Sequence, residues 1–425
     1  MANPGQCQIV LLALAVNFPK IKELFLALRL LSGRLLLVVS TLAALSVLVG
    51  CGGDDESSVP AHGLPREIVI GAAIGKTGYL APYDLNIAAV KQLVEETNAH
   101  GGIDGHKIRI VEADNHSEAQ QAAVAAEKVV EDGADALLFS SEALIAAASA
   151  PVAEEHDELN FTLAASEPGF GPPTTGRLSF SASPSLLDEA AARATFLYDR
   201  GIRHPFLLRD TSIIYGKIDC SAFEQTWKHL GGEIAGSADF KNEDPSIATQ
   251  INQLKDSNAD ALMLCSYPPG GAAAIKQIRA AGIDIPITVS TTFDGTYWMK
   301  GLPDTSKIYG TLNSSAYDPA DPASAALFKK LEKAGVDTDV SSSLLAAYAA
   351  GQLILAAIEE TESVDGEVLA DALERRSHQT ILGPIRYSSD DHYPTRAWPI
   401  YTYDDARPHY LTRIRSEFKP EYAGG

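Results

Sequence analysis

Residues 66–115, REIVIGAAIGKTGYLAPYDLNIAAVKQLVEETNAHGGIDGHKIRIVEADN, constrain the fold more than any other stretch of the chain. A β-rich run at 67–71 leads through a loop punctuated by Gly75 and Gly78 into a helical pattern, with Ile87, Val90 and Val94 at spacings of three and four. Asp84 is placed to accept from the free N–H groups at that helix start. Gly101 and Gly102 supply the left-handed stop, and a second strand follows at 107–112. Strand, helix and strand at these lengths make a βαβ unit of parallel-sheet type. Open parallel sheets meet ligands at the carboxyl ends of their strands. The loop at 72–83 is therefore the first place to look for a site.

The rest of the chain repeats this grammar. Ser117-Glu118-Ala119-Gln120 reads as a capping box for a helix to about 131, and Asp132-Gly133 stops it. A strand at 136–139 ends in Ser140-Ser141. After a small-residue helix at 143–155, a strand at 160–163 ends in Ala164-Ala165-Ser166, and another follows at 177–181. Pro184-Ser185 marks a break, and the alternation restarts. Helices at 186–200, 215–230, 246–256 and 270–281 interleave with strands at 204–208, 232–237, 259–264 and 285–290. A long small-residue helix at 343–359 and short strands near 381–387 come late. Two successive alternating runs predict an α/β chain of two doubly wound parallel-sheet lobes. A length of 425 residues accommodates both.

Charge and targeting narrow the function. Of a formal charge of −21, residues 1–50 hold +3 (Lys20, Lys22, Arg29 and Arg34 against Glu23), which leaves −24 for the remainder. A surface this acidic repels phosphates and argues against nucleic acid. Arg29 and Arg34 precede an apolar run at 35–49, about the length of a signal h-region and short for a membrane span. The run closes in Leu48-Val49-Gly50-Cys51, followed by the polar Gly-Gly-Asp-Asp-Glu-Ser-Ser. The order resembles the lipobox of bacterial lipoproteins, in which the cysteine is lipidated and becomes the mature N-terminus. Residues 1–50 then form a lipoprotein signal peptide, 51–65 a flexible tether, and the protein is anchored outside the cytoplasm. A buried cysteine ending a core helix is the alternative. Cys265 follows the apolar run at 261–264 and reads as a buried core thiol rather than half of a disulfide.

The catalytic signals are weak. Gly71 to Thr77 places three residues between the glycines where a phosphate-cradling loop needs four, and Gly78 and Pro82 stand where its helix should begin. The ten histidines are scattered with no metal-ligand spacing, and no nucleophile elbow occurs. No enzyme activity and no cofactor are expected. What recurs is strand ends carrying small hydroxyls or aromatics. Ser140, Ser141, Ala164 and Ser166 can offer hydroxyls and helix-start N–H groups to a carboxylate, while Tyr83, Tyr215 and Tyr267 can wall an apolar pocket. Serine caps and edge-packed tyrosines are the bland alternatives for each residue taken singly.

In this order the chain resembles the substrate-binding proteins of ABC transporters in the branched-chain amino-acid (Leu/Ile/Val-binding) family, with the type I periplasmic fold. The resemblance covers about 66–415. It rests on Thr77-Gly78, Ala81, Tyr83, Asn98, Gly101-Gly102-Ile103, Gly105 and Asp114, and on the ungapped DALMLCSYPPGGAAAIKQIRAAGI at 260–283. Tyr215-Gly216, Tyr348 and Gly383-Pro384 extend it. It implies two lobes joined by a three-crossover hinge, with 66–184 and 315–386 in lobe one and 185–314 and 387–418 in lobe two. It also implies one small amino-acid-like or amide solute held between them and delivered to an inner-membrane ABC permease, by a receptor expected to be a monomer. Ser141, Ala164 and Ser166 match the family's contacts to the ligand carboxylate. Tyr83, Tyr215 and Tyr267 match aromatic pocket positions, and Asp188 falls near an acidic position facing the ligand amine. Three departures stand out. The family's acidic residue after the 285–290 strand aligns with Thr291, leaving Asp294 as the nearest carboxylate. Glu142 stands in the serine loop, where an anion beside a bound carboxylate is costly. The disulfide some members carry has no matching cysteines. A membrane-anchored enzyme such as a nucleotide hydrolase, or a ligand-sensing lipoprotein, is the competing class.

Overall fold

The computed structural model describes residues 63–172 and 174–422. The leader at 1–50, Cys51 and the tether as far as residue 62 lie outside the described residues. β1 (Glu67–Ile74) is buried at every position after Glu67, as a central parallel strand covered on both faces must be. It pairs in parallel with β2 (Lys107–Asp114) and β3 (Ala136–Phe139). β4 (Asn160–Thr162) and β5 (Ser179–Ser181) continue the sheet in the order β2-β1-β3-β4-β5. One face packs against α2 (Ile87–Ala99) and α10 (Ser341–Thr361), burying Ile68, Ile70, Val90, Leu353 and Ile358. The other packs against α3 (Ala119–Glu131) and α4 (Ala143–Glu155) through Val129, Leu137, Phe139, Ala146 and Ala150. α10 is long and apolar enough to cross a membrane, but 83% of its most apolar window is buried against this sheet and its helices. It is a core helix.

The second sheet runs β14-β13-β10-β9-β8-β6-β7. Here β6 (Pro205–Asp210), β7 (Gly236–Phe240), β8 (Ala261–Cys265), β9 (Ile287–Val289) and β10 (Ile308–Thr311) are mutually parallel. β13 (Trp398–Thr402) and β14 (His409–Ile414) add antiparallel to that edge, so this sheet is mixed rather than wholly parallel. Neither strand shows in the pattern of the sequence. β13 is buried at four successive positions with Pro399 among them, and proline marks a run as an edge or no strand at all. A hairpin of β11 (His378–Thr380) and β12 (Gly383–Ile385) stands apart. The chain passes between the two sheets three times, after β5, β10 and β12.

Packing in the second lobe corrects the reading of its cysteines. Cys220, on α6 (Ile214–His229), forms a disulfide with Cys265 at the end of β8, with Cα atoms 5.6 Å apart and 45 residues between them in sequence. Cys265 is buried, but its partner is set by how α6 lies on β8, which spacing along the chain does not encode. Gly216 makes that approach possible. A Cβ there would sit 2.4 Å from the carbonyl oxygen of Asp210 and 2.7 Å from that of Cys265. Beneath the same helix lies a fully buried ionic group: Arg193, on α5 (Leu186–Asp199), pairs with Asp219 and lies 3.9 Å from Glu189.

Two local readings also change. Ser117 is not the cap of α3: it takes φ +60°, and its hydroxyl donates to the Thr77 carbonyl and accepts from Leu80 N–H. Asp84 does not cap α2. Its carboxylate ties the ends of β1 and β3 together, accepting from Gly75 N–H at 2.7 Å and Ser141 N–H at 2.8 Å. In both cases a nearby loop supplies donors that outcompete the helix start. The result is a fixed loop at 75–83, stapled to the next two strand ends.

Candidate functional site

A cavity of about 580 Å³ lies between the lobes, at the carboxyl ends of strands from both sheets. It falls within the range of small-molecule sites. Lobe one contributes Tyr79, Leu80, Pro82 and Tyr83 from the loop after β1, Ser141 and Glu142 after β3, and Ala164, Ser166 and Glu167 after β4. Lobe two contributes Ile213 and Tyr215 after β6, Tyr267, Pro268 and Pro269 after β8, and Thr291, Thr292 and Tyr297 after β9. The floor comes from the crossovers, through Asn313, Asp337, Asp339, Val340, Ser342 and Ser343.

Seven of the ten ligand-binding candidates line this cavity: Tyr83, Ser141, Ala164, Ser166, Tyr215, Tyr267 and Thr291. Ser140 does not. It is fully buried and accepts from the Asn115 side chain, because successive residues at a strand end face opposite ways. Asp188 does not either. It lines a separate cavity of about 220 Å³ with Arg396, Arg415 and Lys419. The next residue on α5, Glu189, turns inward and holds the cleft wall, accepting from Thr291 N–H at 2.7 Å and from the Thr291 hydroxyl at 3.1 Å. The Thr311 hydroxyl also donates to it. Asp294 is buried behind the wall, where it accepts from Ser342 N–H at 2.7 Å and Ser343 N–H at 3.3 Å. A lobe-two carboxylate thus caps the lobe-one helix α10. Burial raises Asp294 to about 8 against those hydrogen bonds.

Two buried hydroxyls of the lining, Ser141 Oγ and Tyr215 Oη, find no hydrogen-bond partner among the described residues. Such groups are rare in folded proteins and cost free energy unless something else satisfies them. Five tyrosine rings, at 79, 83, 215, 267 and 297, line the cavity. Burial, and then the adjacent Tyr83 hydroxyl, raises the Tyr297 phenol. The lining carboxylates are Glu142, Glu167, Asp337 and Asp339, and no lysine, arginine or histidine is among the described lining residues. Burial, and then Glu142, raises the Glu167 carboxyl to about 7. The backbone amides that a phosphate would need are already engaged: Lys76 and Thr77 N–H donate to Asp114 at 2.9 and 3.3 Å.

The residues missed from sequence divide into two kinds. Tyr79, Glu167 and Tyr297 follow strand ends already marked as ligand-facing, and the same rule extended a few positions finds them. Asn313 and 337–343 sit on crossovers, where no strand-end rule applies.

The model of the periplasmic binding protein family matches residues 67–408. The chain is 24% identical over 368 residues to the Leu/Ile/Val-binding protein homolog 3 of Brucella melitensis, covering 80% of this chain and 92% of that protein. It is 23% identical over 335 residues to the Leu/Ile/Val-binding protein of Escherichia coli K12, covering 76% and 87%. Among solved structures, the branched-chain amino acid transporter substrate-binding protein LivJ of Streptococcus pneumoniae, in complex with isoleucine, matches with a TM-score of 0.72 at 20% identity. That match covers 82% of this chain and 99% of LivJ. A solute-binding protein of an R. palustris ABC transporter, in complex with benzoate, matches with a TM-score of 0.70 at 19% identity, covering 82% and 97%. With the family model spanning both lobes and the crossovers between them, the chain belongs to the periplasmic binding protein family, a family of extracytoplasmic solute receptors, and has its type I two-lobed α/β fold.

Proposed function

We propose that this protein is the solute receptor of an ABC transporter, holding one small amino-acid-like or amide ligand between its lobes and handing it to an inner-membrane permease. The observation that carries this reading is the cavity of about 580 Å³ lined from both lobes by strand-end serines and tyrosines. A ligand touching both walls stabilises the closed arrangement by its differential contacts. The permease then meets a surface that exists only when solute is bound. The ligand-binding residues in this reading are Tyr83, Ser141, Ala164, Ser166, Tyr215, Tyr267 and Thr291. The chain acts as a monomer without catalysis and is held at the membrane by a lipid on Cys51. The Cys220–Cys265 disulfide supports an oxidising, extracytoplasmic setting.

A thermal-shift screen of amino acids, amides, amines, aromatic acids and nucleotides tests the receptor role, since a tight ligand raises apparent stability by mass action. The winning solute should bind once per chain and lower the radius of gyration in solution scattering. Saturable binding with no compaction removes the closure mechanism, and turnover of a nucleotide would favour the enzyme reading. For the anchor, Cys51→Ser should release the protein from membranes or leave it unprocessed. A mature, lipid-labelled Cys51→Ser protein in the membrane fraction contradicts it.

A further inference from the structure

Resting on the receptor role but replacing the amino-acid-like or amide ligand, we propose that the solute is an organic cation: an ammonium compound with no carboxylate to balance its charge. Each serine that would receive a ligand carboxylate is followed by a glutamate in the same lining, Ser141 by Glu142 and Ser166 by Glu167. A bound carboxylate would therefore sit beside two acidic side chains and oppose their ionisation, with no lysine, arginine or histidine among the described lining residues to offset it.

Among the described residues, the four lining carboxylates have only uncharged hydrogen-bond partners. Glu142 accepts from Ile145 N–H at 3.3 Å and from the Tyr79 hydroxyl at 3.4 Å. Glu167 accepts from Ser166 N–H at 3.1 Å, and Asp337 from Asp339 N–H at 2.9 Å. Asp339 accepts from Thr296 and from the Tyr317 hydroxyl. Glu167 is the buried one of the four, and a buried carboxylate ordinarily has a cation beside it. Here burial and the Glu142 charge raise Glu167, a repulsion that a cation in the cavity relieves.

The aromatic lining points to the same class of ligand. Tyrosine faces attract ammonium groups, and an alkylammonium in a partly desolvated ring of aromatics gains from each face it meets. Tyr215, 5% exposed, adds its ring to this lining. The alternative ligands, a zwitterionic amino acid or an aromatic carboxylate, both bring a negative group into this lining.

Calorimetric titration of the purified protein with two matched pairs tests the charge rule: 2-methylbutylamine against isoleucine, and benzylamine against benzoate. The amine of each pair should bind at least about tenfold more tightly than its carboxylate-bearing counterpart. Glu167→Gln should weaken amine binding by about tenfold. Asp337→Asn, at an exposed loop position where folding is not at stake, should weaken it in the same direction. Isoleucine or benzoate binding as tightly as its amine overturns the proposal and leaves the receptor role standing. Amine affinity unchanged in Asp337→Asn and Glu167→Gln overturns it as well. If none of the four probes binds and the wider solute screen is also silent, the receptor reading falls together with this one.

Discussion

Removing one oxygen tests whether the cleft is built for a ligand. Tyr215 stands in the first turn of α6, packed against Leu186 and Ile218; the residue lines the cavity, and its hydroxyl is buried with no partner among the described residues. Leaving such a group unsatisfied costs about 1–3 kcal/mol. Tyr215→Phe deletes the unsatisfied oxygen and keeps the ring, so the ligand-free protein should be as stable as the parent or more so, by up to about that amount. Each 1 kcal/mol corresponds to a melting shift of roughly 2–4 °C for a domain of lobe size. Binding should move the other way. A lost ligand hydrogen bond of about 1–3 kcal/mol lowers affinity roughly five- to a hundredfold. Tyr403 supplies the control, since its hydroxyl is equally buried and partnerless but lies in the core away from the cavity. Tyr403→Phe should leave affinity intact. Scanning calorimetry of the ligand-free variants, followed by titration with the solute that the screen identifies, reads both quantities. A Tyr215→Phe protein that melts lower and binds normally would refute the reasoning, because the hydroxyl would then serve the fold.

The pH dependence of the ligand-free protein follows from acids whose folded values are raised, Glu167 to about 7 and Asp294 to about 8. Their stabilising contribution is complete below the unfolded carboxylate range and is lost as pH rises through the folded values. The melting temperature should therefore fall from pH 5 to pH 8.5, and Glu167→Gln should flatten the part of that fall near pH 7; a level profile in the parent contradicts it. Arg193→Met strands Asp219, and beside it Glu189, without their cation in a fully buried site, so chemical denaturation should show a loss of about 3–5 kcal/mol. A loss below 1 kcal/mol would mean that the group is hydrated. Cys220→Ala with Cys265→Ala opens a loop of 45 residues and should cost about 2–4 kcal/mol, read as a lower denaturation midpoint. An unchanged midpoint would show that the two cysteines are not bridged.

The sequence by itself determined the alternating architecture and where along it to look. Periodicity at 66–115 and its repeats depends on neighbours three and four residues apart, or two in a strand, and such local rules survive without knowing the fold. The strand-end rule found the loops carrying Tyr83, Ser141, Ser166 and Tyr267 because a parallel sheet points all those ends one way. The tertiary structure decided whatever depends on distant neighbours. Asp188 and Glu189 are adjacent in sequence and opposite in role, because a helix turns about 100° per residue and only the packing of α5 says which face meets the cleft. Asp294 caps α10, Asp84 joins two strand ends, and Cys220 meets Cys265 across 45 residues. Each pairs with a group that the fold alone brings near. β13 and β14 escaped the pattern because Pro399 interrupts one of them, and because partners already in place, not their own alternation, make them strands. The sign of charge in the cavity belongs to this second kind as well. Glu142, Glu167, Asp337 and Asp339 are spread over nearly 200 residues of an acidic chain, and the meeting of two strand ends with one crossover makes them one electrostatic site.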